Sequence, residues 1–421
     1  MKKKRIIVSG ILVAVCSFFF LTSCNTKEAD QVTITLIHGW GSTEADHIAM
    51  RKIYEDFEKE NPEISLNLIS MPSSEDVISK VEDLLTVGEI PDIIFTGGDG
   101  RESIYNFMVE KEYALNLMPY IEKDDELKDN ISPSILSYWT TEEGQLYTVS
   151  DVLLMGGGYW YNRDIFEQAG IKEIPKDWEQ WIETCKKIKE YGEREEIKIE
   201  PILLDSDQII YLTDAILSDE DPSMLSDLSN HKVNLYSLGF RRTIEKLEEF
   251  SGYVQVVNSF NYRDTLVSFN QKETAMYING VWASTMINPK LNVAYAAFPT
   301  EDGGGVCAVS SCVGYILGNT KDNGRMDASV KFIKYMLSQP VAKRILEETG
   351  QVPSNPHIVI NESVCGERLF QAVNCVQETP CIIETPANIW GKAKKEDYGD
   401  NLILYLENKI SYAELQGRLG Q

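Results

Sequence analysis

The sequence predicts an α/β fold divided into two lobes. Three observations carry that expectation. A strand–helix–strand–helix–strand run opens at Val32, a second α/β region follows Tyr147, and 421 residues exceed what one hydrophobic core usually serves.

Taken in order, the elements rest on periodicity and punctuation. Val32, Ile34 and Leu36 alternate with polar residues, the pattern of a half-buried strand. Gly39-Trp40-Gly41 marks a turn, and Thr43 with Asp46 reads as a capping box. Ile48, Met50, Ile53, Tyr54 and Phe57 then define one helical face, which Asn61-Pro62 ends. Leu66, Leu68 and Met71 make a second strand. Ser73 and Asp76 cap a helix carrying Val77, Val81, Leu84 and Leu85, and Pro91 to Phe95 is a short buried strand. Short connections of this kind give a mainly parallel sheet, whose ligands gather at the carboxyl ends of the strands, where Trp40 and Asp99 fall. In the second region, Asp177 with Gln180 in capping register opens a helix that turns Trp178, Trp181, Ile182, Cys185 and Ile188 inward, with Gly192 as its stop. No repeat, low-complexity tract or Pro/Gly-rich linker separates the regions, so strands or tight crossovers must join them.

The amino terminus has a separate logic. Lys2, Lys3, Lys4 and Arg5 precede an uncharged stretch from Ile6 to Leu21, the layout of a secretory signal. Leu21-Thr22-Ser23-Cys24 resembles the bacterial lipoprotein processing box, with small residues before the cut and a thiol to carry a diacylglyceryl group. Two acyl chains hold a protein stably at a membrane where one would be marginal. Residues 1–23 are thus expected as signal peptide, Cys24 as the lipidated and palmitate-bearing residue, and 24–31 as the tether. Beyond Cys16 and Cys24 there remain Cys185, Cys307, Cys312, Cys365, Cys375 and Cys381. Cys185 reads as core, while Cys307–Cys312 and a pair among the last three are disulfide candidates.

A net charge of −25 argues against a nucleic-acid partner, since phosphate binders show basic stripes. Four histidines, His38, His47, His231 and His357, show no metal-ligand spacing, so neither a metal nor a cofactor is expected. Gly156-Gly157-Gly158 lacks the Lys-Ser/Thr of a phosphate loop and reads as a bulge or a close backbone approach; Gly303-Gly304-Gly305 reads as a turn of the first lobe.

Several blocks carry a family likeness in order along the chain: Phe57 to Pro62 after the opening strand, Pro91 to Phe95, Gly144 to Tyr147, Tyr161 to Phe166 with Trp178, and Glu273 to Trp282. A weaker block is Ala328 to Leu337 followed by Gln351 to Ser354. In these the chain resembles the family 1 extracellular solute-binding proteins of sugar ABC importers, the group that includes maltose-binding protein. The resemblance implies the type II fold of periplasmic binding proteins, with segment exchange between lobes and mixed, mainly parallel sheets. It implies crossings near Val149–Val152, Asn279–Val281 and Leu337–Gln339. Lobe 1 would hold 32–148 and 282–337, and lobe 2 would hold 149–281 and 338–421. It implies a monomer, lipid-anchored outside the cell membrane, that closes on a sugar and delivers it to an ABC permease, with no ATP site of its own and no enzymatic activity.

A sugar needs flat rings for its C–H faces and polar groups for its hydroxyls. By the resemblance, Trp282 and Trp390 are stacking candidates and Asp99 matches a sugar-contacting position. Thr96 and Gly100 depart from the pattern there, so maltose specificity does not transfer. Trp40, Glu44, Asp151 and Asn279 complete the expected ligand-binding set, and Trp139, Trp178 and Trp181 are assigned to structure. Two rivals are a binding protein for a peptide or polyamine and a secreted glycoside hydrolase. The second needs paired carboxylates across a cleft, for which Glu142, Glu143 and Asp151 are available.

Overall fold

The structure is a computed structural model, and it describes residues 31–97, 101–229, 235–257, 262–310 and 312–420. The expectations for the signal segment, Cys24 and Asp99 lie outside the described residues.

In chain order the strands are Val32–His38 (β1), Ile64–Ser70 (β2), Ile93–Phe95 (β3), Thr148–Val149 (β4), Val152–Gly156 (β5), Gly158–Asn162 (β6), Leu203–Leu204 (β7), Gln255–Val256 (β8), Met276–Ile278 (β9), Val293–Ala297 (β10), Val306–Ser310 (β11), Tyr315–Leu317 (β12), Val352–Pro353 (β13) and Cys381–Ile383 (β14). They form sheets in the orders β2-β1-β3-β12-β4, β10-β6-β9, β13-β5-β11-β14 and β7-β8. β1 pairs in parallel with β2 and β3, whereas β12 returns antiparallel beside β3.

The first sheet organises one core. Ile34, Leu36, Ile37, Ile93 and Ile94 from its strands pack with Met50, Ile53, Tyr54 and Phe57 of helix α1, Ala45–Glu60, with Val77 and Val81 of helix α2, Ser74–Thr86, and with Phe332 and Met336 of the later helix Asn323–Met336. Asp92, 1% exposed, ties that sheet to the later helix. It accepts from the Thr35 backbone N–H at 2.8 Å and from Arg325 at 2.6 Å. The Ser73 hydroxyl caps α2 by accepting from Asp76 N at 3.2 Å, as expected. The expected box at Thr43 does not form. Glu44 is the N-cap of α1 and makes no side-chain cap, because the Ser42 hydroxyl turns to Glu44 and His47 instead. Ile48, assigned to the inner face, is 51% exposed.

The second core wraps β6, which is buried along its whole length. Side chains alternate across a strand, so Tyr159 and Tyr161 face one cluster with Trp181, Phe250 and Phe298, and Trp160 faces another with Tyr277, Tyr295 and Phe269. The helix Trp178–Glu195 starts on Asp177, which accepts from Gln180 N at 2.8 Å, and buries the five residues expected of it. Gly192 does not stop it. That residue packs on Ile199, where a Cβ would come within 2.7 Å of the isoleucine methyl, and the helix ends at Glu196 in the left-handed region.

The lobe boundaries need correction. Residues 293–310, expected in lobe 1 with the rest of 282–337, pair β10 with β6 and β11 with β5, so they stay in the second core. The crossing expected at Asn279–Val281 therefore comes at Ser310–Val313, where Cys312 and Val313 join the first core. The chain leaves the first sheet between β4, which pairs with β12, and β5, which pairs with β11. The third comes later than Leu337–Gln339, since Val341 and Ile345 of the helix Gln339–Thr349 still belong to the first core and Leu346 and Val352 to the second. The Gly303–Gly305 turn joins β10 to β11 and so belongs to lobe 2 as well.

Gly156–Gly158 hands the chain from one sheet to the next, and the close approach is real. A Cβ on Gly157, φ +64°, would lie 2.4 Å from Ala308 Cβ, and one on Gly158 would lie 2.5 Å from Ala296 O. The six cysteines among the described residues are free thiols. Cys307 and Cys312 lie in different cores. Cys307 contacts Thr379 at 3.7 Å and Cys312 contacts Ser150 at 2.6 Å.

Candidate functional site

β1 runs into Gly39-Trp40-Gly41, a turn tight enough that a Cβ on Gly41 would stand 2.4 Å from Met71 O. The half-buried Trp40 ring stacks on Phe95 at 5.5 Å between centroids and meets His47 edge-on at 5.0 Å. Its indole N–H donates to Tyr54 Oη at 3.1 Å. Tyr54 Oη is in turn 3.1 Å from Tyr315 Oη, which donates to Asp151 Oδ2 at 2.9 Å. A relay of hydrogen bonds thus connects two residues that the sequence singled out separately. Asp151 lies at the first crossing but is only 2% exposed, and Oδ1 has no hydrogen-bond partner. Burial pushes its carboxyl up to about 7, against the pull of the Tyr315 bond. Asp151 is thus sealed beneath the crossing as the end of the relay.

Glu44 occupies the rim. Its Oε1 accepts from Arg263 Nε at 3.2 Å, and Arg263 belongs to the helix Tyr262–Asn270 of the other lobe. Glu44 therefore bridges the lobes. Glu44, Asp46 and His47 also place one ligand-type atom each within 4.8 Å of one another, a grouping the histidine spacing did not suggest. The Arg51 and Arg263 guanidiniums face that group, and their charge opposes a cation there.

On the second lobe, β9 leads through Asn279 and Gly280 into the 3-10 turn Val281–Thr285. Asn279 is spent on that turn, since its Oδ1 accepts from Gly280 N at 2.7 Å and its amide donates to Tyr277 Oη. The half-exposed Trp282 ring lies over two glycines. A Cβ on Gly280 would come within 2.1 Å of Trp282 Cζ3, and one on Gly156 within 3.1 Å of Cη2. At 280 only glycine leaves room for the indole, and at 156 a Cβ would press on its edge. Trp390 differs. It is 2% exposed in the second core, edge-on to Tyr398 at 5.2 Å, with the Lys394 ammonium 5.1 Å above its ring. The buried ring packs within the second core.

The sequence reading missed a second bridge between the lobes. Tyr138 Oη donates to Glu384 at 2.6 and 2.7 Å, Arg101 donates to Tyr138 Oη, and Ser310 reaches Glu384 at 3.3 Å. Beside it, Glu102 N donates to Ile389 O at 3.2 Å, and Gly391 N donates to the Glu102 carboxylate at 3.3 Å. The signal was faint but present. Arg101 directly follows the Gly100 departure, and Glu384 lies six positions before Trp390. Glu44–Arg263 and Tyr138–Glu384 thus join the lobes at two places; Trp40 packs with the first core and Trp282 lies on the turn that follows β9. A separate cavity of about 210 Å³, lined by Ser218, Asp219, Thr300, Asp302 and Cys381, includes none of the expected site residues.

Against known proteins, the family described as bacterial extracellular solute-binding protein matches residues 40–343. The multiple sugar-binding protein of Streptococcus mutans is 22% identical over 366 residues, 82% of this chain and 79% of that one. A match to YcjN of Escherichia coli is 28% identical but covers 46% of this chain and 44% of that protein, so the chain spans under half of that relative. Among solved structures, a Streptococcus pneumoniae solute-binding protein in complex with the blood group A-trisaccharide superposes with a TM-score of 0.75 at 21% identity, covering 92% of this chain and 98% of that one. The GacH receptor of Streptomyces glaucescens gives 0.74 at 20% identity, covering 93% and 97%. At these identities the superpositions establish the two-lobe fold.

Proposed function

Because the chain belongs to the bacterial extracellular solute-binding proteins, we propose that it captures a sugar or oligosaccharide between its lobes and delivers it to an ABC permease. The observation that carries this reading is the pair of half-exposed indoles held rigidly on opposite lobes, Trp40 by Phe95 and Tyr54, and Trp282 by its glycine slot. Flat rings fixed in advance suit C–H faces of a pyranose, since little side-chain entropy is lost on binding. Binding would draw the lobes together, because a ligand that contacts both favours the closed form by its differential affinity. The glycoside hydrolase rival loses its carboxylate pair. Glu142 and Glu143 are exposed around the tight turn Thr141–Gln145, while Asp151 is buried beneath the crossing.

Thermal-shift assays of residues 25–421 with raffinose, maltotriose, chitotriose and xylotriose test the reading. A binding sugar is expected to raise the melting temperature with concentration, by roughly 2.7 kcal/mol of stability at a hundred times its Kd. A shift given only by spermidine or by peptides would sink the sugar assignment and leave the solute-binding one standing.

The same reading puts the protein outside the cell membrane on acyl chains at Cys24. No helix among the described residues is long and apolar enough to cross a membrane, so anchoring would rest on the amino terminus. Cys24→Ser is expected to abolish palmitate labelling and either release the protein from the membrane fraction or leave it unprocessed. Undiminished labelling of that variant would remove the lipid anchor from the account.

A further inference from the structure

Arg368 lies far in sequence from every residue of the expected site, and its surroundings are unusual. It sits on the helix Glu362–Glu378, two residues past Gly366, whose φ of +79° breaks that helix. Its guanidinium donates to four backbone carbonyls: Nη1 to Ser284 O at 3.2 Å and Ile287 O at 2.9 Å, and Nη2 to Asn288 O at 3.3 Å and Leu291 O at 2.9 Å. These carbonyls are the end of the 3-10 turn that carries Trp282 and the loop that follows it. The Thr285 hydroxyl ties the turn to Trp282 O at 3.3 Å, and Asn270 clasps the loop through Met286 O and Asn288 N at 3.2 and 2.7 Å. Among the described residues no carboxylate pairs with Arg368, so its charge is spent on carbonyl dipoles alone. A cation at the carbonyl end of a helical turn is favoured there, and only a planar guanidinium can spread donors over four acceptors.

We propose that Arg368 is a positioning residue for sugar recognition: it fixes the turn that seats Trp282 in its glycine slot, and thereby sets affinity without touching ligand. The inference rests on the sugar-binding reading of Trp282. The ring is held in front by Gly156 and Gly280, and its backbone is held behind by Arg368. If the rear support goes, the four carbonyls must find water, and the turn shifts to expose them. The indole then leaves a slot that accepts it in one pose.

The test separates positioning from stability and from the functional reading. The emission of Trp282 is isolated as the difference between each protein and the same protein carrying Trp282→Phe, for the parent, Arg368→Ala and Arg368→Lys. Both Arg368 variants are expected to red-shift the Trp282 component and make it more quenchable by acrylamide, with Arg368→Lys the smaller effect. Arg368→Lys decides the matter if Arg368→Ala does not fold. Affinity for whichever of raffinose, maltotriose and chitotriose binds the parent is expected to fall roughly tenfold or more, and Arg368→Ala is expected to add no further loss in a Trp282→Ala background. An unchanged Trp282 component in both variants overturns the proposal, as does an equal affinity loss in the Trp282→Ala background. If Trp282→Ala itself binds as tightly as the parent, the sugar reading of that residue fails, while the emission result still decides whether Arg368 holds the ring.

Discussion

Trp282→Ala is expected to weaken carbohydrate binding by about 5–30-fold while moving the unliganded melting temperature by only a few degrees. The asymmetry follows from how the ring is held. A tryptophan can bury roughly 150–250 Å², and with no more than about a third of Trp282 exposed that part would return roughly 1–2 kcal/mol at about 25 cal/mol per Å² when a sugar covers it, about 5–30-fold in Kd. In the unliganded protein that face meets water, and the opposite face rests on two glycines that offer little side-chain packing. Trp390→Ala is the contrasting control. That ring is 2% exposed in the second core, and its removal is expected to cost about 3–5 kcal/mol of stability, the range for emptying a large aromatic site. Isothermal titration and thermal melts on both variants check the pair. Unaltered affinity in Trp282→Ala would take that residue out of the site, and a Trp390→Ala protein that melts normally but no longer binds would reverse the two assignments.

The two tryptophans also mark what the sequence could convey. Local signals were legible because their causes are local. The alternation in β1, the Ser73 and Asp177 caps and the inward face of Trp178–Glu195 each depend on residues a few positions apart. What failed depended on distant partners. The chain stays with lobe 2 through 293–310 because β10 and β11 pair with β6 and β5, over a hundred positions earlier, and nothing within the strands announces that choice. Trp390 and Trp282 sit in similar motifs, yet only the packing of Tyr398 and of the Glu102 segment shows that one is sealed and the other open. Arg101, Tyr138, Glu384 and Arg263 went unnoticed because charged and polar residues are abundant and form no pattern of their own. Their meaning comes from contacts such as Tyr138–Glu384, 246 positions apart.

Stability is expected to fall as pH rises from about 4 to about 7, and Asp151→Asn is expected to flatten that slope and raise the melting temperature at pH 8. Three carboxyls cause it. Asp151, Asp205 and Asp214 are 2%, 0% and 0% exposed, and burial pushes each up to about 7, only partly offset by hydrogen bonds from Tyr315, from the Gln208 backbone and from Thr385 respectively. In the unfolded chain an Asp titrates near 3.9. Between those values the native state holds protons that the unfolded state has released, so unfolding is increasingly favoured as pH rises through the window. Below about 4 both states are protonated and these groups contribute no slope; above about 7 the penalty is fully present, on the order of 2–4 kcal/mol per group as an upper figure. Half-buried acids such as Asp56 and Asp124, which lysine partners hold below the usual range, act in the opposite sense and lose their contribution only on strong acidification. The maximum should therefore lie in acidic solution, near about pH 4. Asparagine at 151 keeps an oxygen for the Tyr315 hydroxyl and removes the titration, so the Trp40–Tyr54–Tyr315 relay survives while the pH term goes. Melts of the parent, Asp151→Asn and Asp214→Asn between pH 4 and pH 8 measure it, and an Asp151→Asn slope identical to the parent's would mean that this carboxyl is already ionised beneath the crossing at pH 5. Because Asp151 stands where the chain passes between lobes, the same variant reports on closure. If ionisation is relieved by letting water reach the crossing, the parent should be more open at pH 8 than at pH 5 by small-angle scattering, and Asp151→Asn should show no such difference.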